Sequence, residues 1–224
     1  MTFSLVVRDG GRFGIAVSSS SPAVAARCAH LRPGVGAAAS QNITDPTLGT
    51  GLLDRLAAHG DASRALAEVT GADGNAATIG YRQLTVLGRS GPGHAFSGPH
   101  TLGTHASATA DGAVAAGNML AGTHIPDVLL DTWFTTGGEL EERLVAALRA
   151  ALAAGGEEGP VHSAGLAVVA DAGWRVTDLR VDWADDPVER LAGLVDVWLP
   201  QRDDYVRRGL DPASAPSYGV PGDL

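Results

Sequence analysis

The chain has no lysine; all 16 of its basic residues are arginine. Schiff-base chemistry and a lysine general base are therefore excluded. It has a single cysteine, Cys28, so no intrachain disulfide can form and a zinc site built on several thiolates is ruled out. Positive charge is scarce: 16 basic residues face 25 acidic ones, for a formal net charge of −9. Nucleic acid and anionic membranes both need clustered positive charge, so neither is expected as a partner. No stretch of about 20 apolar residues is free of charge, so no membrane span is expected. No basic segment leads into an apolar run at the N-terminus, and a cytoplasmic location is the expectation. The seven histidines show no ligand spacing, so no metal site is expected. Gly10-Gly11 and Gly34-Val35-Gly36 fit neither the dinucleotide nor the P-loop pattern, and no cofactor is expected.

What is present is a globular composition. Hydrophobic residues make up 45% of 224 positions, enough for a self-sufficient core. Phe3–Val7 and Arg12–Ser18 read as two strands joined through Asp9-Gly10, a hairpin signal. Both faces of that hairpin are apolar, as in a sheet covered on two sides. Gly34–Gln41 reads as a strand of small residues, which allows close approach of another layer. Asn42–Gly51, with Asp45-Pro46, reads as a loop, followed by a helix from Leu52 to near Gly60 and another over Ala62–Val69 that Asp61 can cap. Gln83–Leu87 pairs with His94–Ser97, and Val114–Met119 is a further strand. Residues 126–135 and 138–154 read as helices, the second stopped by Gly155-Gly156. Ala164–Ala170 and Trp174–Val181 form a second hairpin; Asp186-Pro187 caps a helix that ends near Leu199-Pro200. Strands are grouped and helices come in pairs. The expectation is an α+β sandwich with helices outside two mainly antiparallel sheets: one domain over residues 1–199, and an extended C-terminal arm over 200–224.

The start of the first strand carries the chemistry. If Met1 is removed, as the small side chain of Thr2 favours, Thr2 bears both a hydroxyl and a free α-amine. An α-amine titrates near about 8 and can act as a base at neutral pH. A threonine activated by its own amine is one variant of the nucleophile–base pair.

An ordered set of segments resembles a known family. They are Thr2–Asp9, Gly14–Val17, Ala23-Val24, Gly34–Ala37 leading to Ser40-Gln41-Asn42, Pro46 and Gly49. Gly117–Leu120, Ser163-Ala164, Asp178–Asp182 and the tail from Asp203 to Gly222 continue it. Together they resemble the domain-of-unknown-function family 1028, placed with the N-terminal nucleophile (Ntn) hydrolases, over essentially the whole chain. The resemblance implies a four-layer αββα sandwich with Thr2 at the nucleophile position. Many members place a lysine near the end of the second strand; here that stretch is Ser18-Ser19-Ser20-Ser21, and Arg27 is the candidate to replace that lysine.

The expected function is Ntn-type cleavage of a C–N bond in a small amide, ureide or imine, by a homo-oligomer acting on a small-molecule substrate. Thr2, Ser19 and Asn118 are the catalytic candidates. Ser4, Ser20, Gln41, Asn42, Asp178 and Arg180 are candidates for substrate binding. Each also has a plain reading. Ser4 shares the face of Thr2 and either bonds the nucleophile or is a buried serine bonded to backbone. Ser19 and Ser20 form a site rim or a capped turn. Asn118 and Gln41 either donate to an oxyanion or hold a turn, and Asn42 follows them in the loop. Asp178, Arg180 and Asp182 are a substrate-orienting cluster or a solvated ion ladder. The rival functions are a non-catalytic binding or assembly protein on the same fold, and a water-activating deaminase or ring-opening hydrolase that does not use Thr2.

Overall fold

The computed structural model describes residues 1–220. β1 (Thr2–Asp9) and β2 (Arg12–Ser19) form the first hairpin. Gly10 and Gly11 have φ of 55° and 92°, the double positive-φ turn that L side chains resist. A Cβ at either would meet no neighbour, so the requirement there is conformational. α1 (Val24–Cys28), β3 (Ala29–Arg32) and β4 (Gly36–Asn42) follow. After them come α2 (Pro46–His59), α3 (Ala62–Thr70), β5 (Arg82–Gly88), β6 (His94–Ser97), β7 (Ala106–Ala110) and β8 (Ala113–Asn118). α4 (Ile125–Thr135), α5 (Leu140–Ala153), β9 (Ser163–Val169), β10 (Arg175–Val181) and α6 (Pro187–Leu210) complete the order.

The strands make two antiparallel sheets, a larger one in the order β10-β9-β2-β1-β8-β7 and a smaller one in the order β3-β4-β5-β6. α4, α5 and α6 cover the outer face of the larger sheet, where Phe3, Leu5 and Val7 meet Trp133, Leu144 and Leu148. α2 and α3 cover the smaller sheet, with Leu52, Leu53 and Leu56 against Ala38, Leu84 and Val86. Between the sheets lies a thin third layer of Val6, Phe13, Ile15, Ala37, Ala39, Leu87 and Val114. The architecture is therefore the four-layer αββα sandwich, α+β in class. Small residues on β4 and β8 let the two sheets approach closely.

Several expectations change. Residues 46–51 are helix and not loop, because Asp45 caps α2 by accepting Thr47 N–H at 3.0 Å with Pro46 in the first turn. The same Asp-Pro pair that marks a turn also starts a helix. β3 and β7 are additional strands, a four-residue strand at one end of the smaller sheet and an alternately exposed strand at one end of the larger. Asp186 precedes α6 without capping it; its carboxylate takes Arg190 instead, at 2.6 Å.

The boundary set at residues 199/200 falls inside α6, which runs through Pro200 to Leu210. Pro200 stands on the solvent side with Asp196, so the carbonyl it leaves unpaired faces water. The last turns are held from the other side: Arg202 meets the buried Glu141 at 3.2 Å, and the Trp198 indole N–H donates to Thr177 Oγ1 at 3.0 Å. Beyond Leu210 the chain folds back, with Arg208 donating to Pro216 O at 3.0 Å and lying over the Tyr218 ring. Pro221 and Gly222, part of the tail resemblance, lie outside the described residues.

Candidate active site

The strand period of two sends Phe3, Leu5 and Val7 to the helix layer, and Thr2, Ser4 and Val6 into the space between the sheets. Thr2 sits opposite Asn118 on β8, and Phe3 opposite Ser18 on β2. Gln41 and Gln83 enter the same space from the smaller sheet, opposite one another on β4 and β5. Thr2, Ser4, Ser19, Gln41, Gln83 and Asn118 are all buried. One end of the inter-sheet layer is thus polar and the other apolar.

A hydrogen-bond chain crosses that polar end. Ser4 Oγ donates to Gln41 Oε1 at 2.8 Å. Gln41 Nε2 donates to Gln83 Oε1 at 2.8 Å and to Ala116 O at 3.2 Å. Gln83 Nε2 donates to Gly117 O and to Ser97 Oγ, each at 3.0 Å. Asn118 Nδ2 donates to Gln83 Oε1 at 3.0 Å. A carbonyl oxygen only accepts, so Ala116 O and Gly117 O fix the orientation of both glutamines. Gln83 Oε1 must then accept, which fixes Asn118 in turn. Asn118 Oδ1 is left buried and without a partner among the described residues. Met119, the next residue, has φ of 51°, a left-handed conformation that non-glycine residues adopt at sparing frequency and often near functional sites.

Thr2 Oγ1 lies 3.3 Å from Ser19 Oγ and 2.5 Å from Met1 O; Ser19 Oγ also donates to Met1 O. Ser19 Oγ accepts Ser21 N–H at 3.0 Å. With Met1 attached, the Thr2 nitrogen is an amide and no base. The loop from Gly155 to His162 crosses this end of the sheet. Its Gly156 O accepts Ala121 N–H, Glu158 N–H reaches Met119 O, and His162 N–H reaches Ser19 O. Glu157, buried in that loop, accepts Ser20 N–H on Oε2 at 3.2 Å, while its Oε1 has no partner among the described residues. Burial pushes its carboxyl up to about 7, against the opposing pull of the N-terminal charge and of the Ser20 N–H.

The structure therefore brings Thr2, Ser4, Ser19, Ser20, Gln41 and Asn118 together. Asn42 stands at the rim with φ of 72°, its amide donating to Tyr81 O at 2.6 Å and accepting Leu102 N–H at 3.2 Å, so it joins β4 to two loops. Asp178 and Arg180 are elsewhere. They lie on the edge strand β10, separated from β1 by β9 and β2, exposed, with Asp178 paired to Arg175 at 2.7 Å and Arg180 to Asp182 at 3.5 Å. That is the solvated ladder. Arg27 turns away as well and donates to Pro22 O at 2.5 Å. Cys28 is buried beside Thr44 Oγ1, and burial raises its thiol pKa, which makes it an inert packing residue. A cavity of about 330 Å³ opens beneath α6, lined by Arg12, Glu141, Val176 and Arg202, on the opposite face of the larger sheet from Thr2. Among the described residues no group of three or more His, Cys, Asp or Glu side chains is placed to hold a metal ion. Nor is any helix there long and apolar enough to cross a membrane.

Gln83 and Glu157 were not singled out from the sequence. Gln83 had a signal: it shares parity with Leu87 in an apolar strand and points inward. Glu157 had one too, since acids just past the C-terminal end of a helix oppose the helix field.

Residues 2–191 match the family of unknown function DUF1028. The chain belongs to this family. The crystal structure of the DUF1028 protein SPO2555 from Silicibacter pomeroyi is 27% identical, with a TM-score of 0.83 over 92% of this chain and 90% of that one. Eukaryotic HslV from Trypanosoma brucei is 15% identical with a TM-score of 0.45, over 74% of this chain and 98% of that one. The Anbu (Gly-1) mutant from Hyphomicrobium sp. strain MC1 is 9% identical with a TM-score of 0.45, over 90% of this chain and 96% of that one. Likeness of that order says nothing of the site. No curated protein matches the chain. Within DUF1028, this member carries Ser18–Ser21 at the end of its second strand, and no cation from that strand reaches Thr2.

Proposed function

We propose that this DUF1028 protein is an Ntn-type hydrolase of a C–N bond in a small amide, ureide or imine, with Thr2 as nucleophile after loss of Met1. One observation carries the reading: Thr2 opens the central strand β1, buried, with its hydroxyl 3.3 Å from Ser19 Oγ at the polar end of the inter-sheet layer. With an amide or ureide, the hydroxyl proton passes to the α-amine as Oγ1 bonds to the substrate carbonyl carbon. The carbonyl π pair moves to oxygen, where the second Nδ2 hydrogen of Asn118 receives it. Collapse breaks the C–N bond, and the leaving nitrogen takes the proton back from the ammonium. Water then adds to the ester, gives its proton to the amine, and Thr2 Oγ1 departs with that proton. Ser4, Gln41 and Gln83 hold Asn118 in place and do not touch the reacting atoms. No cofactor enters these steps.

Intact-mass measurement of the purified protein tests the first requirement. The reading expects Met1 to be absent, and expects turnover of at least one member of a panel of small amides, ureides and lactams. Turnover by a chain that keeps Met1 would move the chemistry to a water activated by pocket groups other than Thr2. Retained Met1 with no turnover would favour the non-catalytic binding protein. The homo-oligomer belongs to the same proposal; Phe134 and Trp183 are large apolar side chains left exposed, and sedimentation analysis reads the assembly state.

A further inference from the structure

The amine of Thr2 needs a partner. A nucleophile–base pair works best when the base is itself oriented by a third group. The usual cation at the end of the second strand would act on the hydroxyl, by favouring the alkoxide. This chain has serines there. The same proton transfer is eased from the other side if the amine is made more basic, and a carboxylate does that.

Glu157 is placed for it. Its backbone pairs with Leu120, two residues past Asn118 at the end of β8. Its carboxylate reaches the N–H of Ser20, one residue past the end of β2. In the sheet β1 lies between β8 and β2. Glu157 therefore spans the start of β1, where Thr2 begins. One carboxylate oxygen is taken by Ser20; the other is buried and unpartnered among the described residues.

We propose that Glu157 is the positioning residue of this site: its carboxylate holds the Thr2 α-amine once Met1 is gone and stabilises the ammonium that forms when the amine takes the hydroxyl proton. This rests on the nucleophile reading above. The role matches that of the acid in a nucleophile–base–acid triad, with the chain's own amine as the base. Among the described residues no other ionisable side chain competes for the position. Thr2, Ser18–Ser21, Asn118, Met119 and Leu120 at the three strand ends are all non-ionisable. In the loop itself Glu158 is exposed, and His162 stacks on Trp183 and faces Asp185. On the far side of the loop His124 bonds Ala154 O. With Met1 attached, the charge of the Met1 amine already acts on the Glu157 carboxyl.

The absence of lysine makes the test clean, because the terminal amine is the chain's sole primary amine. Trace acetylation across a pH series, read by mass spectrometry on the N-terminal peptide, gives the midpoint at which the amine loses its proton. In the processed protein that midpoint should lie above the ordinary value of about 8. Glu157→Gln, close in shape, should lower it by about one unit or more, and Glu157→Asp, which keeps the charge, should hold it up. A wild-type midpoint at or below 8, or equal midpoints in wild type and Glu157→Gln, overturns the proposal. Failure of the underlying reading looks different. Met1 present in the intact mass removes the free amine and both ideas together. Full turnover by Thr2→Ala removes the nucleophile while leaving the amine–carboxylate midpoint shift in place.

Discussion

Thr2 and Ser19 hold the same carbonyl. Thr2 Oγ1 is 2.5 Å from Met1 O, Ser19 Oγ donates to that oxygen as well, and the two hydroxyls are 3.3 Å apart. The initiator residue thus sits against both hydroxyls from which the proposed chemistry starts.

Thr2→Ala should lower turnover by about 10³-fold or more while leaving the fold intact, since one hydroxyl is worth only about 1 kcal/mol of stability. Thr2→Ser, which keeps the hydroxyl and the amine, should retain measurable activity. The assay is turnover on whichever panel compound the wild type hydrolyses, with a thermal melt as control. Equal rates for wild type and Thr2→Ala would end the nucleophile reading.

Gln83 bonds four partners from full burial, and its replacement should be felt in stability. Gln83→Ala strips partners from Asn118 Nδ2, Gly117 O and one arm of Gln41 Nε2. Each buried group left unpaired costs about 1–3 kcal/mol, so the expected loss is about 3 kcal/mol. Ser97→Ala, which removes only the outer bond, should cost about 1 kcal/mol. Urea denaturation separates the two; similar midpoints would mean that the amide chain is not cooperative.

In the chain that keeps Met1, Glu157 makes stability depend on pH in a defined direction. Its carboxyl titrates at about 7 in the folded chain, against an ordinary 4.5. Between those values the folded state keeps a proton that the unfolded state has lost. Stability from this group is full below about 4.5 and declines as pH rises through about 7. Measured as the difference between wild type and Glu157→Gln, the decline should be about 3 kcal/mol between pH 4 and pH 8. A difference that grows in favour of wild type over that interval contradicts the assignment.

Arg202 should matter to folding although it lies past the boundary read from the sequence. It is the cation against the fully buried Glu141 at 3.2 Å. Arg202→Ala strands that carboxylate, a loss of about 3–5 kcal/mol. A chain ending at Leu199 should melt far lower than one ending at Leu210. Equal melting temperatures would return residues 200–210 to the status of a dispensable arm.

Much of the sandwich could be read from the chain, because alternation and turn chemistry are local. The β1–β2 hairpin is written in Asp9-Gly10-Gly11, and α5 in the spacing of Leu140, Leu144 and Leu148. What escaped reading was set by distant partners. α6 passes Pro200 because Glu141 and Thr177, far back in sequence, hold Arg202 and Trp198. β3 becomes a strand because β4 is beside it. In the candidate site, Thr2, Ser4 and Ser19 were legible because strand parity and hairpin geometry put them together, and Asn118 because it is an amide at the point where a strand gives way to a loop. Glu157 was not, since only the path of a loop across three strand ends makes it a neighbour of Thr2. Asp178 and Arg180 share a face, as alternation says, but parity cannot tell a central strand from an edge.

The two main-chain oxygens that clamp Gln41 and Gln83 give the polar end of the inter-sheet layer a built-in direction. The clamp leaves Asn118 with one unpartnered acceptor, Oδ1, beside its second Nδ2 hydrogen, so both a donor and an acceptor face the same point. A compound that carries an N–H beside a carbonyl oxygen offers the complement of both. Ligand screening would do well to begin with ureas and primary amides.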